Sequence, residues 1–218
     1  MKIDLHVHTS EVSACGKLSA EETLRLYREH GFDALVVTNH FNRWTADYWA
    51  KRGVTDFVKL CRDAVNGAKA LAPQYGMTVF AGCELRFDCN INDYLVFGAD
   101  DWLFEDCGEL FALDPKSFAE FARKHNLLVY QAHPFRNGMT VTDPALLSGI
   151  EVKNGCPRHD SRNDIAAAWA DKFRLRKIAG SDCHRAEDVG LAGIECAETL
   201  RTEADLVRLL RENRYRLL

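Results

Sequence analysis

Residues 176–184 read RKIAGSDCH, a short apolar run that ends in an aspartate and a histidine. The run predicts a buried strand. The preceding stretch 161–175 predicts a helix, with Ile165, Trp169 and Phe173 on one stripe. A helix followed by a strand that ends in side chains able to bind metal is the unit that recurs along this chain.

The same alternation extends in both directions from this stretch. Ser19 and Glu22 have the spacing of a capping box at the start of a helix. Strands are predicted at 2–7, 34–38, 77–83, 127–133 and 149–154, with a hairpin over 84–98, and helices at 19–30, 45–72 (broken near Gly53), 115–125 and 202–213. Strands that alternate with helices indicate an α/β fold with a mostly parallel sheet. An open doubly wound sheet is the alternative to a barrel, and the absence of a Pro/Gly/Ser-rich linker predicts one domain over 1–218.

Composition and charge narrow the function classes. The 218 residues carry a net charge of −4, with a pI near 6.1. Such a chain has no general attraction for nucleic acid or for a membrane surface. The N-terminus lacks the pattern of a signal peptide, and no apolar run is long enough to span a bilayer. The eight cysteines contain no CxxC pair, so we expect reduced thiols and a cytoplasmic protein.

Side chains able to bind metal follow nearly every predicted strand. His30 and His125 are exceptions, since they end predicted helices, where a cationic side chain is favourable. In parallel α/β folds the carboxyl ends of the strands share one face, so residues distant in sequence meet there. The candidate metal ligands are His6, His8, His40, Glu84, Asp93, His133, Asp182 and His184.

The spacing of these residues supports a metal cluster. His6 and His8 point to the same side of a strand because side chains alternate with period two. Asp182 and His184 have the same spacing. Histidine with carboxylate suits Zn²⁺, Mn²⁺ or Fe²⁺ better than an oxygen-only Ca²⁺ or Mg²⁺ site.

The motifs together resemble those of the PHP family, the polymerase-and-histidinol-phosphatase domains. The matching segments are HVHT (6–9), TNH (38–40), GCE (82–84), AHP (132–134) and GSDCH (180–184). The resemblance covers almost the whole chain. It implies a distorted (β/α)7 TIM-like barrel that holds two or three divalent ions (Zn, Mn or Fe).

The family's ligands can be carried over residue by residue. The resemblance assigns His6, His8, Glu84 and Asp182 to one ion, and Glu84, His133 and Asp93 to a second. A third ion would take His40, His184 and a residue of the loop 10–16, where Cys15 and Glu11 are the candidates. The chain departs from the family at Asn39, which replaces an aspartate and is interpreted as an orienting residue, and at Asp93, which replaces a histidine.

The resemblance includes phosphatases of small metabolites and nucleotides as well as nucleases. The hypothesis is hydrolysis of a small phosphate monoester, a metabolite or a nucleotide, by metal-activated water. The predicted catalytic residues are Glu84, which bridges ions, Asp182, and His159, which would protonate the leaving group. Phosphate would be held by loop residues that follow the strands. These are Arg136, Asn154, Arg158, His159, Arg162 and Arg185.

Three alternatives remain open. A nuclease acting on oligonucleotides is disfavoured by the lack of a basic stripe. An amidohydrolase-like barrel also begins with an HxH motif, but the D-x-H ending argues against it. A non-catalytic PHP domain that keeps its metals is supported only by Asn39 and the altered loop 10–16. Replacing His6 or His133 with alanine would test the non-catalytic alternative, because it shows whether these residues are needed for activity or for folding.

Overall fold

The computed structural model describes residues 1–98 and 107–218. The strands are β1 Lys2–Val7, β2 Ala34–Val37, β3 His40–Phe41, β4 Thr78–Leu85, β5 Tyr94–Phe97, β6 Leu128–Gln131, β7 Gly149–Asn154, β8 Arg176–Gly180, β9 Ile194–Glu195 and β10 Arg216–Leu217. The helices are α1 Ala20–Glu29, α2 Arg43–Ala50, α3 Phe57–Leu71, α4 Cys107–Ala112, α5 Pro115–Lys124, α6 Asn163–Phe173 and α7 Glu203–Glu212. None of the described helices is long and apolar enough to cross a membrane.

The strands form one nearly closed sheet in the order β10-β9-β1-β2-β4-β5-β6-β7-β8, with β3 paired to β4. Pairing is parallel except around the hairpin, where β5 lies antiparallel to β4 and β6, and at β9. The ring closes where the segment after β8 meets β1. There the His8 amide donates to the Cys183 carbonyl at 2.9 Å, and the Cys183 amide donates to the His6 carbonyl at 3.1 Å. The predicted α/β barrel is confirmed.

A glycine allows β8 to approach β1 closely at this closure. A Cβ atom on Gly180 would lie 2.4 Å from the His6 Cβ and 2.9 Å from the His6 amide nitrogen. No side chain fits in that space, because real Cβ atoms do not approach other atoms so closely. Gly180 therefore fixes the distance between β1, which carries His6, and β8, which leads to Asp182.

The cap of α1 agrees with the sequence prediction, whereas the buried side of α6 differs from it. Ser19 caps α1, and its amide donates to Glu22 Oε2 at 2.9 Å, as the capping box predicts. In α6, Ala166 and Ala170 are buried, whereas Ile165 and Phe173 are 44% and 40% exposed. Of the predicted stripe only Trp169 packs against the core, because the small alanines allow α6 to lie close to β7.

Candidate metal centre

Seven of the predicted ligands converge at the carboxyl end of the barrel. They are His6, His8, His40, Glu84, His133, Asp182 and His184. All except His40 and His184 are buried to 2% exposure or less, so their side chains are removed from water. Buried imidazole and carboxylate groups are costly without partners. Their convergence from five separate strand ends gives a cluster that is able to hold cations.

The first group lies between β1, β4 and the segment after β8. His6 Nε2 lies 3.1 Å from His8 Nε2, 3.4 Å from Glu84 Oε1 and 3.4 Å from Asp182 Oδ1. His8 Nε2 lies 3.4 Å from the same Asp182 oxygen. Atoms that each bind one ion at about 2.1 Å are separated by such distances. The group therefore has the composition and spacing of a metal site.

Glu151 on β7 orients two of these histidines. Its Oε1 accepts from His6 Nδ1 at 2.9 Å, and its Oε2 accepts from the His133 amide at 2.9 Å. A carboxylate that binds the outer nitrogen of a ligand histidine fixes the tautomer and leaves Nε2 free for metal. Glu151 is not among the residues predicted from the sequence, although a charged residue between Ile150 and Val152 of a buried strand was a usable signal.

Asn39 supports the cluster from outside. Its Oδ1 accepts from the Thr9 amide at 2.8 Å and from Ser13 Oγ at 2.9 Å. Ser13 Oγ in turn lies 3.1 Å from His8 Nδ1. Asn39 thus acts on His8 through Ser13, which agrees with its interpretation as an orienting residue.

Neighbouring groups favour the metal-binding form of His8, Glu84 and Asp182, whereas at His6 and His40 the effect of burial is outweighed by nearby carboxylates, which raise the pKa. Burial and the neighbouring His184 and His40 lower the pKa of His8 well below its usual value, so its imidazole stays neutral. Burial opposes ionisation of Glu84 and Asp182, but the surrounding histidines outweigh it and hold the pKa of each carboxyl well below its usual range. The centre thus presents a neutral imidazole beside ionised carboxylates.

Two ligand residues have unusual backbone conformations. His133 has φ 28° and Asp182 has φ 53°, values that residues other than glycine rarely adopt. Such conformations cost about 1–3 kcal/mol each and persist where the surrounding structure imposes them. Each lies two residues after the end of a strand, β6 or β8, where the turn of the chain directs its side chain into the centre.

The second group with ligand spacing is His8, His40 and His184. Cys15 adjoins it: burial raises the pKa of this thiol, but hydrogen bonds with His184 and His40 outweigh burial and lower it to about 6. Glu11, the other loop candidate, is not brought to the centre. Its Oε1 accepts from the Ala20 amide at 2.8 Å, because the loop returns its side chain to the start of α1.

Asp93 lies at the edge of the centre, 3.9 Å from His133 Nε2. Its two oxygens accept from Arg86 Nε and Nη2, each at 2.7 Å. Arg136 Nη2 also donates to Asp93 Oδ2, at 3.5 Å. The group around His133 that has ligand spacing consists instead of His6, Glu84 and His133. Arg86 was not among the predicted site residues.

A cavity of about 320 Å³ opens over the centre. Of the predicted substrate residues, Arg136, Arg158, His159 and Arg185 line it. Asn154 lies below it, where its Nδ2 donates to Glu151 Oε2 at 3.0 Å and to Asp182 Oδ2 at 3.3 Å. Arg162 is directed elsewhere, because the Phe135 carbonyl, at 2.6 Å, and Asn137 bind its guanidinium.

The residues fit divalent ions at two of the three positions that the motifs imply. Glu84 Oε2 and His40 Nδ1 form an ion pair at 2.7 Å, and neither buried atom has another hydrogen-bond partner among the described residues. Such atoms find a common partner in a bound cation. The donor set of the first group and the set His40, His184 and Cys15 both suit borderline metals such as Zn²⁺. The Asp93 position does not fit, since its carboxylate is engaged by arginine.

A barrel with this centre at its carboxyl end has the architecture of a metal-dependent hydrolase. The family model described as PHP domain matches residues 4–186, and the model described as PHP-associated matches 160–215. The chain belongs to the PHP domain family, whose members are metal-dependent hydrolases. No curated protein matches the chain.

Solved structures share the fold at low sequence identity. A two-domain protein from Bacteroides vulgatus, described as containing a predicted PHP-like metal-dependent phosphoesterase, superposes with a TM-score of 0.67 at 20% identity over all of this chain and 64% of its own. An amidohydrolase from Chromobacterium violaceum gives 0.62 at 17%, over 99% and 98% of the two chains. A lesion-specific endonuclease from Pyrococcus furiosus gives 0.60 at 13%, over 99% and 57%. The chain thus spans under two thirds of the first of these proteins.

Proposed function

We propose that this protein is a metal-dependent phosphoesterase that hydrolyses a small phosphate monoester. The observation that carries the proposal is the cavity over the metal centre, which combines the ligand cluster with arginines at its wall. Its volume of about 320 Å³ suits a metabolite or a mononucleotide. The net charge of −4 does not favour a polynucleotide. Because the described cysteines are free thiols, we also propose a cytoplasmic location.

The arginines differ in what they can bind. Arg158 forms a two-point ion pair with Asp188, in which Nη1 and Nη2 each donate to one carboxylate oxygen. We therefore assign to Arg158 the support of the loop after β8 rather than the binding of phosphate. Arg136 makes one long contact to Asp93, and Arg185 lies 3.8 Å from Glu187. Arg136 and Arg185 keep donors available for phosphate oxygens. We assign substrate binding to these two residues.

His159 is the candidate proton donor. Its Nε2 is buried without a hydrogen bond among the described residues and lies 3.8 Å from Asp182 Oδ2. Burial lowers the pKa of His159, while Asp182 acts in the opposite direction. A phosphate dianion in the cavity favours the imidazolium form. His159 would then donate its proton to the leaving alkoxide.

Metal ions would be held by the first group and by His40, His184 and Cys15. Bound divalent ions lower the pKa of water and neutralise phosphoryl oxygens. Glu84 adjoins both positions, since its oxygens lie 3.4 Å from His6 Nε2 and 2.7 Å from His40 Nδ1. We assign to Glu84 the bridging role and to Asp182 the binding of the first ion.

The test is phosphate release from a panel of sugar phosphates, nucleoside monophosphates, a nucleoside 3′,5′-bisphosphate and a short oligonucleotide, with added Mn²⁺. We expect release from small monoesters, and we expect His6→Ala to reduce it by about 100-fold or more, since even residues that only orient ligands contribute about 10–100-fold. His30→Ala is the matched control, because His30 ends α1 on the surface.

Each outcome assigns the site differently. Release that requires Mn²⁺ and His6 supports the phosphoesterase. Cleavage of the oligonucleotide alone replaces it with a nuclease. No release by folded, Mn²⁺-loaded protein overturns the proposal and favours a non-phosphate substrate or a metal-binding domain without catalysis.

A further inference from the structure

The environment of Asp93 differs from that of the other carboxylates in the centre. Asp93 is 1% exposed, and each of its oxygens accepts a 2.7 Å hydrogen bond from Arg86. Its Oδ2, the oxygen that lies 3.9 Å from His133 Nε2, also accepts from Arg136. This oxygen has two lone pairs and already accepts from two guanidinium groups, at 2.7 and 3.5 Å, which disfavours its binding a metal as well.

The first group provides the contrast. Within the described residues, Glu84 and Asp182 form their ion pairs with histidines, whose nitrogens can release a proton and bind metal. Asp93 forms its two shorter ion pairs with arginines, and its contact with His133 is the longest, at 3.9 Å. Arginine cannot lose its proton in a protein, and its planar fork matches a carboxylate at two points. The positive charge that Arg86 places beside Asp93 is therefore permanent.

A divalent ion between His133 and Asp93 would lie against the Arg86 guanidinium. Like charges repel, and water screens this repulsion only in part, because Arg86 is 39% exposed whereas Asp93 and His133 are each 1% exposed. Asp93 raises the pKa of Arg86, and the charge of the nearby Glu84 carboxylate raises it further, which favours the charged guanidinium. The guanidinium thus supplies positive charge to Glu84 and Asp93, the two carboxylates that a second ion would otherwise neutralise.

We propose that the Arg86 guanidinium takes the place of the second metal ion in this chain. The centre then holds two ions, one in the first group and one with His40, His184 and Cys15. This inference rests on the proposed function in assuming that the centre binds metal. Because a guanidinium cannot dissociate as an ion does, the charge beside His133 is independent of the metal concentration.

The decisive measurement uses the wild-type protein. Purified protein is stripped with a chelator, reloaded with excess Mn²⁺, freed of unbound ions and analysed for manganese per chain, and its crystals are examined for anomalous scattering at the manganese edge. We expect two ions per chain and no anomalous peak between His133 and Asp93. A peak bound to both of these residues overturns the proposal, as does a count other than two.

A pair of variants tests the cause. Arg86→Gln combined with Asp93→His removes the guanidinium and supplies an imidazole, and we expect this double variant to bind three ions. Arg86→Lys keeps the positive charge and is expected to bind two. If the double variant is folded by circular dichroism and still binds two ions, Arg86 does not exclude the third and the proposal is wrong.

Failure of this inference can be told apart from failure of the proposed function. Three ions in a wild-type protein that releases phosphate overturn only the inference. Two ions in a protein that releases phosphate from no substrate overturn only the phosphoesterase.

Discussion

Glu151 contacts the metal centre through its neighbours. It binds His6 Nδ1, the His133 amide and Asn154 Nδ2, and so controls the orientation of two ligand histidines. Glu151→Gln replaces one of the two accepting oxygens with an NH2 group, which is a donor, so at least one of these hydrogen bonds is lost. We expect metal affinity to fall by about 10–100-fold, the usual effect of losing such a partner.

Competition with a metal-binding dye measures this loss directly. Glu120→Gln is the control, because Glu120 is exposed on α5 and the same chemical change there leaves the centre intact. Equal affinity of the Glu151 and Glu120 variants would show that Glu151 does not orient the ligands.

Single residues also show where sequence reasoning reached its limit. His6, His8, Glu84, His133 and Asp182 were predictable, because each follows or ends a strand, and strand ends share a face. Arg86 was not predictable. Its role depends on the hairpin register that places it against Asp93, and an isolated arginine in a sequence gives no signal of its partner.

The closure between β1 and β8 is the element on which the centre depends. Gly180→Ala would place a methyl group 2.4 Å from the His6 Cβ, so the strands must separate. We expect a loss of stability of about 1–3 kcal/mol, the usual effect of overpacking, together with weaker metal binding, since His6 and Asp182 lie on either side of the closure.

Gly67→Ala provides the matched comparison in urea unfolding. Gly67 lies inside α3 with no atom within 4 Å of its added Cβ, so the change is expected to stabilise the protein by about 0.5–1 kcal/mol. If Gly180→Ala behaves like Gly67→Ala, the close approach of the two strands is not required.

Elements were easier to predict than their packing. The capping box at Ser19 and the break at Gly53, which has φ 87°, depend on local chemistry that the sequence contains. The exposed side of α6 depends on tertiary contacts, in which Ala166 and Ala170 pack closely against β7. An apolar stripe identifies an amphipathic helix, but the space available beneath it decides which side is buried.

At the scale of the whole molecule, folding brings several buried carboxylates together at one end of the barrel. Asp4, Glu84, Glu151 and Asp182 are each at most 2% exposed. Burial raises the pKa of Asp4 to about 6 although Ser181, His6 and Tyr27 supply hydrogen bonds. Only the folded chain brings these carboxylates together with the histidines of the centre, so a metal ion binds the folded state and stabilises it.

Metal binding should therefore raise the melting temperature. An ion that binds only the folded state stabilises it by about 4 kcal/mol at a free concentration of about 1,000 Kd. For a chain of this size about 1 kcal/mol corresponds to about 2–4 °C, so we expect a rise of about 10 °C between chelator and saturating Mn²⁺. Scanning fluorimetry with wild type and His6→Ala provides the measurement, since the variant lacks a ligand and should respond less. Identical melting temperatures of the wild type with chelator and with Mn²⁺ would mean that the folded protein does not bind Mn²⁺ at this centre.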